Sequence, residues 1–167
     1  MNGRESYWTG LRRRWCAALG WNKPTQAPSL QEPEAGLNAD QILERVCRMP
    51  SDFSSIKTIS MLQLLAKSGI ETRPEILNVP TILPYIRDHP EVIDDWLQYS
   101  SNQRVTSAWY FSRESGGYVV RNFPKGEILN FEEARPACAE YIVRCVSRLV
   151  ELARDIRQKK KPRRRFW

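Results

Sequence analysis

The chain has 167 residues, a formal charge of +7, a pI near 9.5, four cysteines and a single histidine, His89. That length fits one domain with an extension at each end. No apolar run approaches the roughly 18 residues of a membrane span, and one histidine excludes a zinc site that needs two.

The charge is unevenly spread. Residues 1–36 hold five basic and three acidic side chains, a balance of +2. Residues 37–155 hold 14 basic and 16 acidic side chains, a balance of −2. Residues 156–167 carry Arg157, Lys159, Lys160, Lys161, Arg163, Arg164 and Arg165 with no acid, a balance of +7. The expected organisation is a basic, aromatic extension and Pro-rich linker over 1–36, one folded domain over 37–155, and a polybasic tail over 156–167.

In chain order, Ser6 to Trp21 can coil so that Trp8, Leu11, Trp15 and Leu19 share one face, with Arg12, Arg13 and Arg14 across the other. Such a helix suits a membrane surface or a partner groove. Gly10 interrupts it, and a loosely ordered extension or a helix docked on its own domain fits equally. Residues 22–36 carry three prolines and almost no large apolar side chain, which marks a linker. Asn38 predicts the N-cap of a helix bearing Ile42, Leu43, Val46 and Met49 and ended by Pro50. Thr58 or Ser60 caps a second helix, closed by Gly69. Pro74, Pro80 and Pro84 break 74–89 into short helical turns with Tyr85 and Ile86 inward. A helix over 90–100 follows, with Val92, Ile93, Trp96 and Leu97 on its apolar stripe.

The period then changes from 3.6 to 2. Residues 104–112, 118–123 and 127–131 read as a three-stranded antiparallel meander, turning at Ser115-Gly116-Gly117 and at Phe123-Pro124-Lys125-Gly126. A long helix over about 133–157 carries Ala137, Cys138, Tyr141, Ile142, Cys145, Val146 and Leu149 inward. The fold class is therefore α+β: helices, a small sheet, and a long helix packed across it.

No catalytic set assembles in the sequence. Cys138 and Cys145 lie roughly 10 Å apart along one helix, beyond disulfide reach, and no CxxC occurs. Ser54 and Lys57 match S-x-x-K without companion motifs. Asp94-Asp95 and Glu132-Glu133 sit at helix N-termini, where acids complement the macrodipole. No catalytic, cofactor-binding or metal-ligating residue is assigned, and a non-enzyme is expected. The N-terminal segment lacks the apolar core of a signal peptide, so the expected location is cytoplasmic.

One stretch carries a resemblance. Asp94-Asp95-Trp96-Leu97-Gln98-Tyr99-Ser100, Asn102-Gln103-Arg104, Trp109-Tyr110-Phe111, Tyr118-Val119-Val120, Phe131 and Ala137-Cys138-Ala139-Glu140-Tyr141-Ile142 together resemble small stand-alone bacterial immunity-type proteins, encoded beside contact- or secretion-delivered toxins. The resemblance covers residues 94–142 and implies a non-enzymatic role, binding a cognate toxin and blocking its active site. Basic tails on a near-neutral domain depart from the acidic character of many nuclease-directed immunity proteins, which leaves the toxin class open. The resemblance transfers no binding residue. Polar side chains of the outward sheet face and hairpin, Arg104, Arg113, Glu114 and Arg121, are instead nominated as contacts for a protein partner, and the alternation that buries Trp109, Phe111 and Val120 turns some of these outward. Lys159, Lys160, Lys161, Arg163, Arg164 and Arg165 are the candidates for binding nucleic acid or anionic lipid.

Overall fold

The computed structural model describes residues 36–56, 58–102, 109–123 and 126–160. Its order is α1 (Ala39–Ser55), α2 (Met61–Ser68), two 3-10 turns (Ile70–Thr72 and Pro74–Ile76), α3 (Val79–Asp88), α4 (Glu91–Asn102), β1 (Trp109–Glu114), β2 (Gly117–Asn122), β3 (Ile128–Phe131) and α5 (Ala134–Lys160). This is the expected α+β arrangement.

The helix starts follow local chemistry. Asn38 and Gln41 form a reciprocal capping box on α1, and Ser60 and Gln63 form another on α2. Each satisfies two N–H groups that a bare helix end would leave open. Gly69 closes α2 at φ +77°, a left-handed conformation that side chains rarely adopt.

The prolines behave differently from the expectation. Pro50 lies inside α1, which continues to Ser55. The ring is buried beside Met49, so packing offsets the one backbone bond that proline forfeits. Residues 79–88 form a full helix, with Pro80 in its first turn, where no N–H is needed, and Pro84 inside. Ile86 is buried and Tyr85 is half-buried, its ring stacked on His89 at 4.3 Å.

The sheet runs β1-β2-β3, both pairs antiparallel. Its register places Trp109, Phe111, Tyr118, Val120, Asn122, Leu129 and Phe131 on one face and Tyr110, Ser112, Val119, Arg121, Ile128 and Asn130 on the other. The first face packs on α5, which also packs on α2, α3 and α4. Trp96, Tyr141 and Phe111 join the layers. Trp96 meets Tyr141 edge-on at 5.7 Å, Tyr141 stacks on Phe111 at 5.5 Å, and Trp96 Nε1 donates to the Cys47 carbonyl at 2.9 Å.

Gly117 pairs with Glu114 across the first hairpin at φ +136°, and a Cβ there would lie 2.3 Å from the Phe131 carbonyl oxygen. A Cβ on Gly116 meets nothing within 4 Å. Gly117→Ala is therefore expected to lower stability by about 2 kcal/mol or more, and Gly116→Ala to change it by under about 0.5 kcal/mol. Thermal unfolding of the two variants checks the difference.

Candidate functional site

Among the described residues, the face of the sheet turned away from α5 is the most feature-rich surface of the domain. Arg121 reaches across to β1, pairs with the Glu114 carboxylate, and donates to Ser112 Oγ at 3.1 Å. Beside it, the end of α4 and strand β1 enclose an open groove of about 880 Å³. Tyr110, Ser112, Arg121 and Phe123 contribute from the sheet, and Leu97 and Gln98 from α4. Phe123 is 71% exposed.

The two walls are fixed to each other. Ser100 is buried, and its Oγ accepts from the Phe111 N–H at 2.7 Å. That bond closes one amide of the β1 edge with a helix side chain, so α4 both walls the groove and shields the strand.

Of the four nominated contacts, Glu114 and Arg121 stand together on this face. Arg113 is on the phase of Trp109 and Phe111 instead. It lies beyond the core at the strand end, over the Tyr118 ring at 5.8 Å, and still reaches the groove rim. Arg104 lies outside the described residues. Leu97, Tyr110 and Phe123 are not among the contacts nominated from the sequence, although the period-2 pattern that buries Trp109 and Phe111 already turns Tyr110 outward. Nothing in the sequence announces the role of Ser100, which depends on how α4 meets β1.

A second charged node ties α5 to the sheet. Arg144 bonds Glu140 at 2.5 Å and Glu127 at 2.7 Å and lies over the Trp109 ring at 4.6 Å. Burial alone would lower its pKa, but bonds and charge from Glu140 and Glu127 raise it above the ordinary arginine value.

The residues with reactive potential sit apart. Burial pushes the Cys47 thiol up to about 12 and raises Cys138 further, so both are protonated at neutral pH. His89 caps the end of α3, its Nδ1 3.3 Å from Glu91. The half-buried Asp95 is raised by burial, then by Glu91 and Asp94, against a smaller lowering by Arg48 of α1. Among the described residues no three His, Cys, Asp or Glu side chains could hold a metal ion, and no helix is long and apolar enough to cross a membrane.

At the other end, α5 runs through residue 156 to Lys160, so the expected start of the tail falls inside a helix. Arg157 pairs with Glu71, whose side chain is 4% exposed and whose Oε1 has no hydrogen-bond partner among the described residues. Arg157 therefore belongs to the folded domain. Lys159 is exposed, Lys160 ends the helix, and Lys161, Arg163, Arg164 and Arg165 lie outside the described residues.

No protein-family model, curated protein or solved structure matches the chain.

Removing Arg157 leaves a carboxylate buried without its counter-charge. Arg157→Ala is expected to lower stability by about 2–4 kcal/mol at neutral pH, and adding Glu71→Gln to recover much of that loss. Urea unfolding of the single and double variants measures the coupling.

Proposed function

We propose that the chain is a non-catalytic, cytoplasmic protein-binding domain of the immunity type, which neutralises a cognate toxin by occupying its surface. The observation that supports this reading is the groove between α4 and β1. Its aromatic anchors, Tyr110 and Phe123, stand beside Arg121 on a sheet held rigidly from behind. Tyrosine and arginine beside apolar rings are enriched among the side chains that dominate protein interfaces: tyrosine removes much area from water with two rotatable bonds, and arginine offers a planar fork of five donors. The Glu114–Arg121 pair adds charge that fixes register.

The experiment is co-expression with the toxin encoded by an adjoining gene, with growth and direct affinity as readouts. Protection and a dissociation constant at or below about 1 µM are expected, weakened at least about tenfold by Tyr110→Ala, Phe123→Ala or Arg121→Glu. Absence of any partner at micromolar affinity among products of neighbouring genes sinks the reading.

The second reading is polyanion binding, to nucleic acid or anionic lipid, through the basic C-terminal segment. It draws on the exposed Lys159 and the continuing run of cations after the helix. Because Arg157 is committed to Glu71, truncation after Gln158 is the clean test. It is expected to leave the melting temperature unchanged and to abolish a salt-sensitive affinity for duplex DNA or anionic vesicles. An affinity that survives truncation, or that ignores salt, excludes the tail as its source.

A further inference from the structure

The two edges of the sheet are unlike. At β1, Ser100 takes the outward N–H of Phe111, and α4 packs alongside. At β3 the hydrogen-bond alternation runs the other way. Asn122 N–H donates to the Glu127 carbonyl at 2.8 Å, so Val120 and Tyr118, in phase with it, direct their backbone groups at β3, onto Leu129 and Phe131. Ile128 and Asn130 therefore point their N–H and C=O away from the sheet. No helix or strand among the described residues pairs with that side.

The side chains along this edge form a pattern. Ile128 is 59% exposed and sits in one cross-strand row with Arg121 and Tyr110. Asn130 shares the next row with Val119 and Ser112. Beyond it, Glu132 follows β3 where the chain closes on Gly117, the partner of Glu114. Gly117 thus leaves a gap between two carboxylates, a recess of about 400 Å³ lined by Glu114, Gly117, Val119, Asn130 and Glu132. Glu114 already holds Arg121, and Glu132 and Glu133 are exposed.

We propose that the open edge of β3 accepts an extended, basic segment of a partner protein as a fourth strand. Its backbone pairs with Ile128 and Asn130. The residue opposite Ile128 is apolar, since Arg121 in the same row disfavours a cation. The residue two places on, opposite Asn130, is Lys or Arg, placed diagonally to the exposed Glu132 that follows β3. Backbone bonds then supply the pairing, and the Glu132 carboxylate selects the charge. This rests on the protein-binding reading and names the chemistry of the partner.

The test uses a fluorescent, end-capped peptide, Thr-Val-Thr-Lys-Thr-Lys-Thr, titrated with the full chain, against a peptide with Glu for both Lys. Anisotropy is expected to report a dissociation constant near or below about 100 µM for the Lys peptide, with the Glu peptide at least about tenfold weaker. Asn130→Pro removes only an outward N–H and is expected to abolish binding with the fold retained. Ile128→Lys, at an exposed position, is expected to weaken binding about tenfold and decides the matter where the proline variant fails to fold. No anisotropy change up to about 1 mM, equal affinity for both peptides, or indifference to Ile128→Lys overturns the proposal. A whole toxin that binds through Tyr110 and Phe123 regardless of the edge variants overturns it too, while leaving the protein-binding reading intact.

Discussion

The contact of Trp96, Tyr141 and Phe111 is the constraint on which the rest of this structure depends. These three rings come from α4, α5 and β1, and each is buried. Edge-on and stacked geometries let them meet at 5.5 to 5.7 Å, with the indole N–H satisfied by the Cys47 carbonyl on α1. One indole thus fixes the first helix, the fourth and the last relative to one another. The distance between α4 and β1 follows from that packing, and so does the reach of Ser100 to the Phe111 amide. The groove between them is therefore a product of the core and not of a loop.

Much of this was legible locally. The N-cap at Asn38, one of the two candidate caps of α2, the glycine that closes α2, the three strands and the inward stripe of α5 follow from period and end chemistry, because each depends on residues within a few positions of one another. Proline was the weak guide. Pro50 and Pro84 argue for helix ends on propensity alone, yet each helix gains more from burying its apolar face than it forfeits in one backbone bond. The surface was less legible than the core. Alternation gave the phase of Arg121 correctly, whereas Arg113 shares the phase of the buried aromatics and lies outward only because the core ends before it. Ser100 with Phe111, and Arg157 with Glu71 across 86 positions, are set by tertiary packing and leave no local trace.

The basic excess takes on a different division once Arg157 is counted with the domain. Its partner Glu71 lies in a 3-10 turn between α2 and α3, so the last turns of α5 are held against the helical layer by charge as well as by apolar contact. A buried carboxylate with one oxygen unsatisfied makes that guanidinium hard to replace, since an uncharged residue there would strand the charge. Lys159, two residues further along the same helix, is exposed and takes no part in that pair. Removing the cations from 159 onward and removing Arg157 are thus separate changes, and only the second breaks the tie to Glu71.

The sheet can be read in the same physical terms. A three-stranded meander has two edges, and an exposed edge invites pairing with another chain. Here the edge that could also widen the groove is closed by a helix side chain, while at the opposite edge no described helix or strand pairs with the backbone and Ile128 is exposed. Glu132 and Glu133, which follow that edge, are acidic and exposed, while on the β2 side the close approach of the Phe131 carbonyl requires a glycine at 117. Closure on one side and access on the other give the sheet a direction. Under the proposed protein-binding reading, a partner laid on the outer face would meet Tyr110 on β1 and Phe123 just after β2, with the Glu114–Arg121 pair beside them and hydrogen-bonding backbone at β3.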